Sequence, residues 1–224
     1  MIVTGTVITG DPAQPVVDAL VVRDGVVVAV GTADALRAAD PDQAVTATGR
    51  VILPGLVNAH THAYSAYARG MAVHSPTRDF PEILANLWWA LDRKLEPEDV
   101  TLNATTTFLE SVRNGVTTVF DHHSSPNAIP GSLGLMAEAA GRVGLRACLC
   151  YETSDRDGPW AFAAGVTENV DFMREANTTG QDRVRGMFGL HASFTLSEPS
   201  LDAVAEATEG VPGGYHVHVA EGPS

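Results

Sequence analysis

The stretch Pro54-Gly55-Leu56-Val57-Asn58-Ala59-His60-Thr61-His62 opens on a turn, continues as a short apolar run and closes on two histidines one residue apart. In an extended strand, residues i and i+2 point to the same side with Cα atoms about 6.7 Å apart. Two imidazoles on that span can close on one ion at about 2.0–2.1 Å per nitrogen. An isolated His-x-His equally fits a hydrogen-bonded pair, so the surrounding sequence has to decide.

Upstream, residues 1–54 alternate Val/Ile-rich runs with turn signals: 1–11, then 18–31 with Asp24-Gly25 as a hairpin turn, then 46–55. This predicts a small β-sandwich subdomain. Downstream, residues 55–224 repeat a different unit, an apolar strand followed by a helical pattern. The strands are expected at 56–62, 116–123, 145–152, 184–193 and 215–221, and the helices at 82–94, 98–115, 131–144, 166–177 and 199–210. Strands separated by helices imply parallel pairing through right-handed crossovers. The expected class is α/β: a partial (β/α)8 TIM barrel of about five βα units behind the β subdomain.

The histidines favour a barrel over an open sheet. His60 and His62, His122 and His123, His191, and His216 and His218 all fall at the C-terminal ends of predicted strands, the end where barrel active sites assemble; only His74 lies apart, in a loop. The second His-x-His, in His216-Val217-His218-Val219-Ala220-Glu221, changes the odds for the first. His218 offers a third ligand, and Glu221 sits just past the strand, where its carboxylate can swing over whatever His218 binds. Three protein ligands with an open position match a catalytic zinc site. His216 ligates, orients His218 or lines the interior. His122 and His123 are adjacent, so only one can face the barrel axis, as a substrate contact, and Asp121 could orient one of them. The loop after the first strand is long enough for a lid in which Tyr64, Arg69 or His74 could touch substrate. Trp88 and Trp89 share helical spacing with Leu84, Leu87 and Leu91, a pattern of helix packing.

Composition excludes several classes. The net charge is −13, and 13 Arg and one Lys form no basic stripe, which argues against nucleic acid. No apolar run approaches the roughly 20 residues that span a bilayer, so no membrane role is expected and the chain reads as cytoplasmic. Cys148 and Cys150, two apart in an extended segment, are expected as reduced thiols. The partner left is a small-molecule substrate, with a homo-oligomer an open question.

PGLVNAHTH, GLHASFTLS and HVHVAE resemble the amidohydrolase superfamily, in its cytosine deaminase, guanine deaminase and chlorohydrolase division. NLWWALDR, DHHSSPNAIPGSL and LRACLCYETSDRDG are similar to SsnA-type aminohydrolases. The resemblance implies His60, His62 and His218 as metal ligands, Glu221 as the proton-shuttling carboxylate and His191 as a substrate-facing catalytic histidine. It also implies a hydrolase acting on non-peptide carbon–nitrogen bonds, an aminohydrolase or deaminase of a nitrogen heterocycle working through metal-activated water. Chlorohydrolase-type hydrolysis and an inactive metal-binding fragment are the alternatives. The expected cofactor is one divalent metal ion, zinc first, then iron or manganese. Some relatives bridge two metals with a strand-four lysine, but the only lysine here is Lys94. The family barrel has eight strands and carries a further histidine after the sixth and an aspartate after the eighth, so the sequence is expected to be part of a longer chain.

Overall fold

The computed structural model describes residues 1–178 and 183–221. The chain divides into two compact units, Met1–Gly55 and Leu56–Ser224.

The first unit holds β1 (Ile2–Ile8), β2 (Val16–Arg23), β3 (Val26–Gly31), helix α1 (Ala33–Ala39) and β4 (Val45–Ile52). Its sheet runs β3-β2-β1-β4, antiparallel except for the parallel β1–β4 pair. Asp24 and Gly25 both take positive φ, 50° and 78°, the conformation a two-residue hairpin demands. Ile2, Ala19 and Val21 form the core, covered by Ala33 and Leu36 of α1. Among the described residues of this unit the strands form one four-stranded sheet with a helix against it. The helix escaped an all-β reading because it is one short run, capped by Thr32, whose Oγ1 accepts from Ala35 N at 3.3 Å.

The second unit alternates strand and helix: β5 (Leu56–Thr61), a 3₁₀ turn (Ala63–Ala68), a broken helix, α4 (Pro97–Arg113), β6 (Val116–His123), α5 (Ser132–Val143), β7 (Arg146–Tyr151), α6 (Gly158–Thr178), β8 (Val184–Gly186), β9 (Phe188–Ala192), α7 (Glu198–Ala207) and β10 (Tyr215–His218). The broken helix comprises α2 (Phe80–Ile83), a π-helical turn (Leu84–Trp88) and α3 (Trp89–Asp92). β5, β6, β7 and β8 form one parallel sheet, and β9 and β10 a parallel pair. A parallel bridge between Thr153 and Leu190 ties the pair to the end of β7. The expected fourth strand is therefore two pieces. Met187 N still donates to Leu149 O (3.0 Å), while Phe188 N already donates to Gly214 O (2.8 Å), so the ladder changes neighbours within two residues. Gly189 is required at this point: a Cβ there would lie 2.2 Å from the Tyr151 carbonyl oxygen.

Helix boundaries follow local chemistry. Pro97 opens α4 after Glu96, whose N–H donates to Asp99 Oδ2 (2.9 Å), and Gly144, at φ 83°, ends α5. Phe108, Leu133, Met136 and Leu145 pack between α4, α5 and the sheet side chains Val119 and Leu149. Phe188, Leu190, Val170 and Met173 make a second cluster under β9. At the two ends of the strand array, Leu56 and Val57 of β5 and Tyr215 and Val217 of β10 are exposed. Among the described residues, no helix is long and apolar enough to cross a membrane.

Candidate active site

The C-terminal ends of β5 and β10 meet although their sequences lie far apart. His60 Nε2 is 2.9 Å from His62 Nε2 and 3.1 Å from His218 Nε2. His62 Nδ1 donates to the His122 carbonyl at 2.7 Å, and His218 Nδ1 donates to the His191 carbonyl at 2.8 Å. A carbonyl oxygen only accepts, so in each of these rings Nδ1 carries the proton and the neutral ring keeps its lone pair on Nε2. Two fixed lone pairs therefore converge on the third imidazole. Burial, then the neighbouring charge of His218, lowers the pKa of His60; burial above all brings that of His62 down to about 4. Neutral imidazoles with converging lone pairs are the donor set a divalent ion takes.

The three rings border a cleft of about 340 Å³ that His191, Tyr64, Glu152 and Glu221 also line. His191 pairs through Nδ1 with Thr195 Oγ1 at 2.8 Å, which leaves Nε2 for the cleft; burial takes its pKa to about 4. Ala220, just before Glu221, sits at φ 58°, a left-handed conformation that costs a non-glycine residue about 1 kcal/mol or more and turns the chain directly after β10. Trp88 also borders the cleft, 6.5 Å from the Tyr64 ring, so one of the two tryptophans expected only to pack forms part of the wall.

The other sequence candidates separate. The β6 alternation sends His122 among His62, His216 and His218, with ring centroids 5.7, 4.5 and 4.7 Å away. His122 is fully buried, and burial and the nearby His216 hold its pKa well below the ordinary value. His123 points the other way, bonded to Ser125 Oγ at 2.8 Å and packed near Tyr151. It does not border the cleft. Arg69 is exposed and edges a neighbouring hollow, and His74 is exposed. His216 is half-buried, 5.4 Å from the His60 ring. Asp121 orients neither histidine: its Oδ2 accepts from Ala63 N at 2.7 Å, and its Oδ1 is buried without a partner.

Sequence reading missed Glu152 and the charged cluster behind it. Glu152 directly follows β7, with Oε2 3.4 Å from His122 Nδ1 and Oε1 3.4 Å from His191 Nε2. Behind it, the buried Arg156 pairs with Asp92, donates to Ser124 Oγ at 2.8 Å and lies 5.3 Å over the Trp89 ring. Strand-end position was the one signal for Glu152; the cluster itself is tertiary.

The sequence matches the amidohydrolase family over residues 51–224. The chain belongs to that family. Among curated amidohydrolase relatives, a 5-methylthioadenosine/S-adenosylhomocysteine deaminase of Moorella thermoacetica is 33% identical over 199 residues, covering 86% of this chain and 42% of the relative. Among solved structures, guanine deaminase from C. acetobutylicum with bound guanine in the active site superposes with TM-score 0.81 at 15% identity, covering 98% of this chain and 53% of that one. Atrazine chlorohydrolase from Arthrobacter aurescens TC1 complexed with zinc gives TM-score 0.73 at 20% identity, covering 97% and 52%. Both likenesses concern fold. This amidohydrolase chain spans about half the length of the proteins it matches.

Proposed function

We propose that this chain carries the first part of a metal-dependent aminohydrolase site in which His60, His62 and His218 hold one divalent ion, zinc first. The observation that carries the reading is the convergence of the three Nε2 atoms with two of the Nδ1 protons locked onto carbonyls. When bound, such an ion lowers the pKa of a water molecule toward neutrality and polarises the carbon under attack. The chain's own residues supply the rest. Glu221 lines the same cleft, where its carboxylate would take up a proton released from the attacking water and pass it to the ring nitrogen or departing amine of the substrate. His191 Nε2 and Tyr64 border the space a flat heterocycle needs, with Phe80, Leu84 and Trp88 as walls that exclude water.

In this reading β5, β6, β7, β8 with β9, and β10 are consecutive staves of a (β/α)8 barrel, and Met1–Gly55 is a portion of a β-sandwich. The parallel strand order and the superposition on guanine deaminase support it. The free thiols of Cys148 and Cys150 support a cytoplasmic setting. The relatives' names support a deaminase, and the chlorohydrolase likeness makes chloride the competing leaving group.

The test is metal content of the purified protein by mass spectrometry, with ammonia and halide release from amino- and chloro-substituted heterocycles. One zinc per chain, lost in His60→Ala, is expected; this chain alone is expected to turn over weakly or not at all, and any ammonia release is expected to be abolished by a chelator. Protein that binds no divalent metal sinks the proposal, and halide without ammonia replaces deaminase by chlorohydrolase.

A further inference from the structure

Glu152 holds acceptor capacity that the protein leaves unused. Its side chain is 3% exposed, yet its carboxylate borders the cleft. Its imidazole and guanidinium contacts stand at 3.4 Å (His122 Nδ1), 3.4 Å (His191 Nε2) and 3.9 Å (Arg156 Nη2), all beyond the roughly 3.2 Å limit of a good N–H···O bond. Arg156 is at most a shared counter-ion for it. That guanidinium pairs with Asp92, donates to Ser124 and lies 3.3 Å from Asp157 Oδ2, so its charge is shared among carboxylates. A buried carboxylate whose contacts are all long leaves its acceptor positions to a ligand that brings the donors.

A second metal ion is the rival occupant, because ring nitrogens of His62 and His122 and a Glu152 oxygen lie within 4.8 Å of one another. His62 is already committed on both nitrogens, Nδ1 to the His122 carbonyl and Nε2 toward His60 and His218. That leaves two ligands, too few for a protein site.

Resting on the aminohydrolase reading, we infer that Glu152 selects the substrate: its two oxygens accept the paired N–H groups of an amidine edge, a ring nitrogen and its exocyclic amine in one plane. The walls of Phe80, Leu84 and Trp88 suit a flat ring, and the carboxylate oxygens suit two parallel donors. Ligands that turn carbonyls or a carboxylate to Glu152 are repelled. The preferred class is a cationic or readily protonated amino-heterocycle.

The probe pair is benzamidine, which presents two parallel N–H donors, and its neutral counterpart benzamide. Calorimetric titration of the 224-residue protein is expected to show benzamidine bound at least about tenfold more tightly. Glu152→Gln, which keeps the shape, is expected to bring the two ligands within about threefold of each other. Asp202→Asn, an exposed helix position, removes the same charge far from the cleft and leaves the preference intact. Equal affinities in the unsubstituted protein, or a preference that survives Glu152→Gln, overturn the inference. Should Glu152→Gln fail to fold, a crystal structure of the unsubstituted protein with benzamidine decides. The amidinium within about 3.2 Å of the Glu152 oxygens supports the inference, and any other placement overturns it. Zinc content measured on the same samples separates the two readings. Bound zinc without benzamidine preference overturns only this inference; preference without zinc overturns only the metal site.

Discussion

His60 Nε2 lies 3.1 Å from His218 Nε2 across 158 residues of sequence. The Nε2 lone pairs of His62 and His218, fixed by their backbone hydrogen bonds, both face His60 Nε2, which carries at most one proton to share between them, and a cation completes that geometry. Zinc is therefore expected to stabilise the protein. At about a hundredfold over the dissociation constant the gain is about 2.7 kcal/mol, or roughly 5–10 °C in melting temperature for a chain of this size. Calorimetric melts with zinc and with chelator measure it. His218→Ala is expected to abolish the shift, and a shift of the same size in that variant rules the site out.

Asp121 carries a pH signature. It is fully buried, and desolvation raises its pKa from 3.8 to about 8. The folded state thus keeps a proton that the unfolded chain releases above about pH 4. Between those values the native state binds more protons than the unfolded one, so this group's contribution to stability is greatest at low pH and declines as pH rises toward 8. Asn at this position still accepts from Ala63 N and cannot ionise. Asp121→Asn is expected to match the unsubstituted protein near pH 4 and to exceed it by on the order of 2–4 kcal/mol at pH 8. Urea unfolding from pH 5.5 to 8.5 reads this, and parallel pH profiles for the two proteins defeat it.

Much of the fold and part of the candidate site are visible in the sequence for one reason: period-two placement. Two His-x-His pairs at strand ends carry their geometry with them, because i and i+2 share a face whatever the rest of the chain does. The same alternation separates His122 from His123. Glu152 carries no such signal, since a lone carboxylate ending Cys150-Tyr151-Glu152 looks like any strand leaving its sheet. Its meaning depends on Arg156, Asp92 and His191, which only folding brings near. The π-helical turn at Leu84–Trp88 and the break at Met187 are equally illegible. Both come from tertiary fit, the first placing Trp88 on the cleft and the second passing a strand from one neighbour to the next.

Arg156 and Asp92 form the buried pair behind the cleft, with side chains 6% and 0% exposed. Removing one partner leaves the other charge uncompensated, a loss of about 3–5 kcal/mol. Arg156→Ala and Asp92→Ala are each expected to fall in that range. The double variant should lose less than the sum by more than about 1 kcal/mol, because each single change already strands its partner. A double-variant cycle in urea measures the coupling, and simple additivity means the pair is not energetically linked.

Gly189 supports the site from underneath. Gly189 O accepts from Thr153 N at 3.1 Å, and His191 N donates to Thr153 O at 2.9 Å, so β9 hangs on the chain just past β7 through these two bonds. A methyl group at 189 meets the Tyr151 carbonyl oxygen at 2.2 Å and Cys150 Sγ at 3.1 Å, backbone and buried sulfur rather than a mobile tip. The strands have to part to admit it. Gly189→Ala is expected to cost about 1–3 kcal/mol or more in stability. It also displaces His191 and, through the His191 carbonyl, the proton that fixes His218. Zinc affinity is therefore expected to fall by about tenfold or more, since outer partners of metal ligands contribute that much. A variant that melts early but binds zinc with unchanged affinity would show that β9 position and ring orientation are independent, against the chain of contacts from Gly189 through His191 to His218.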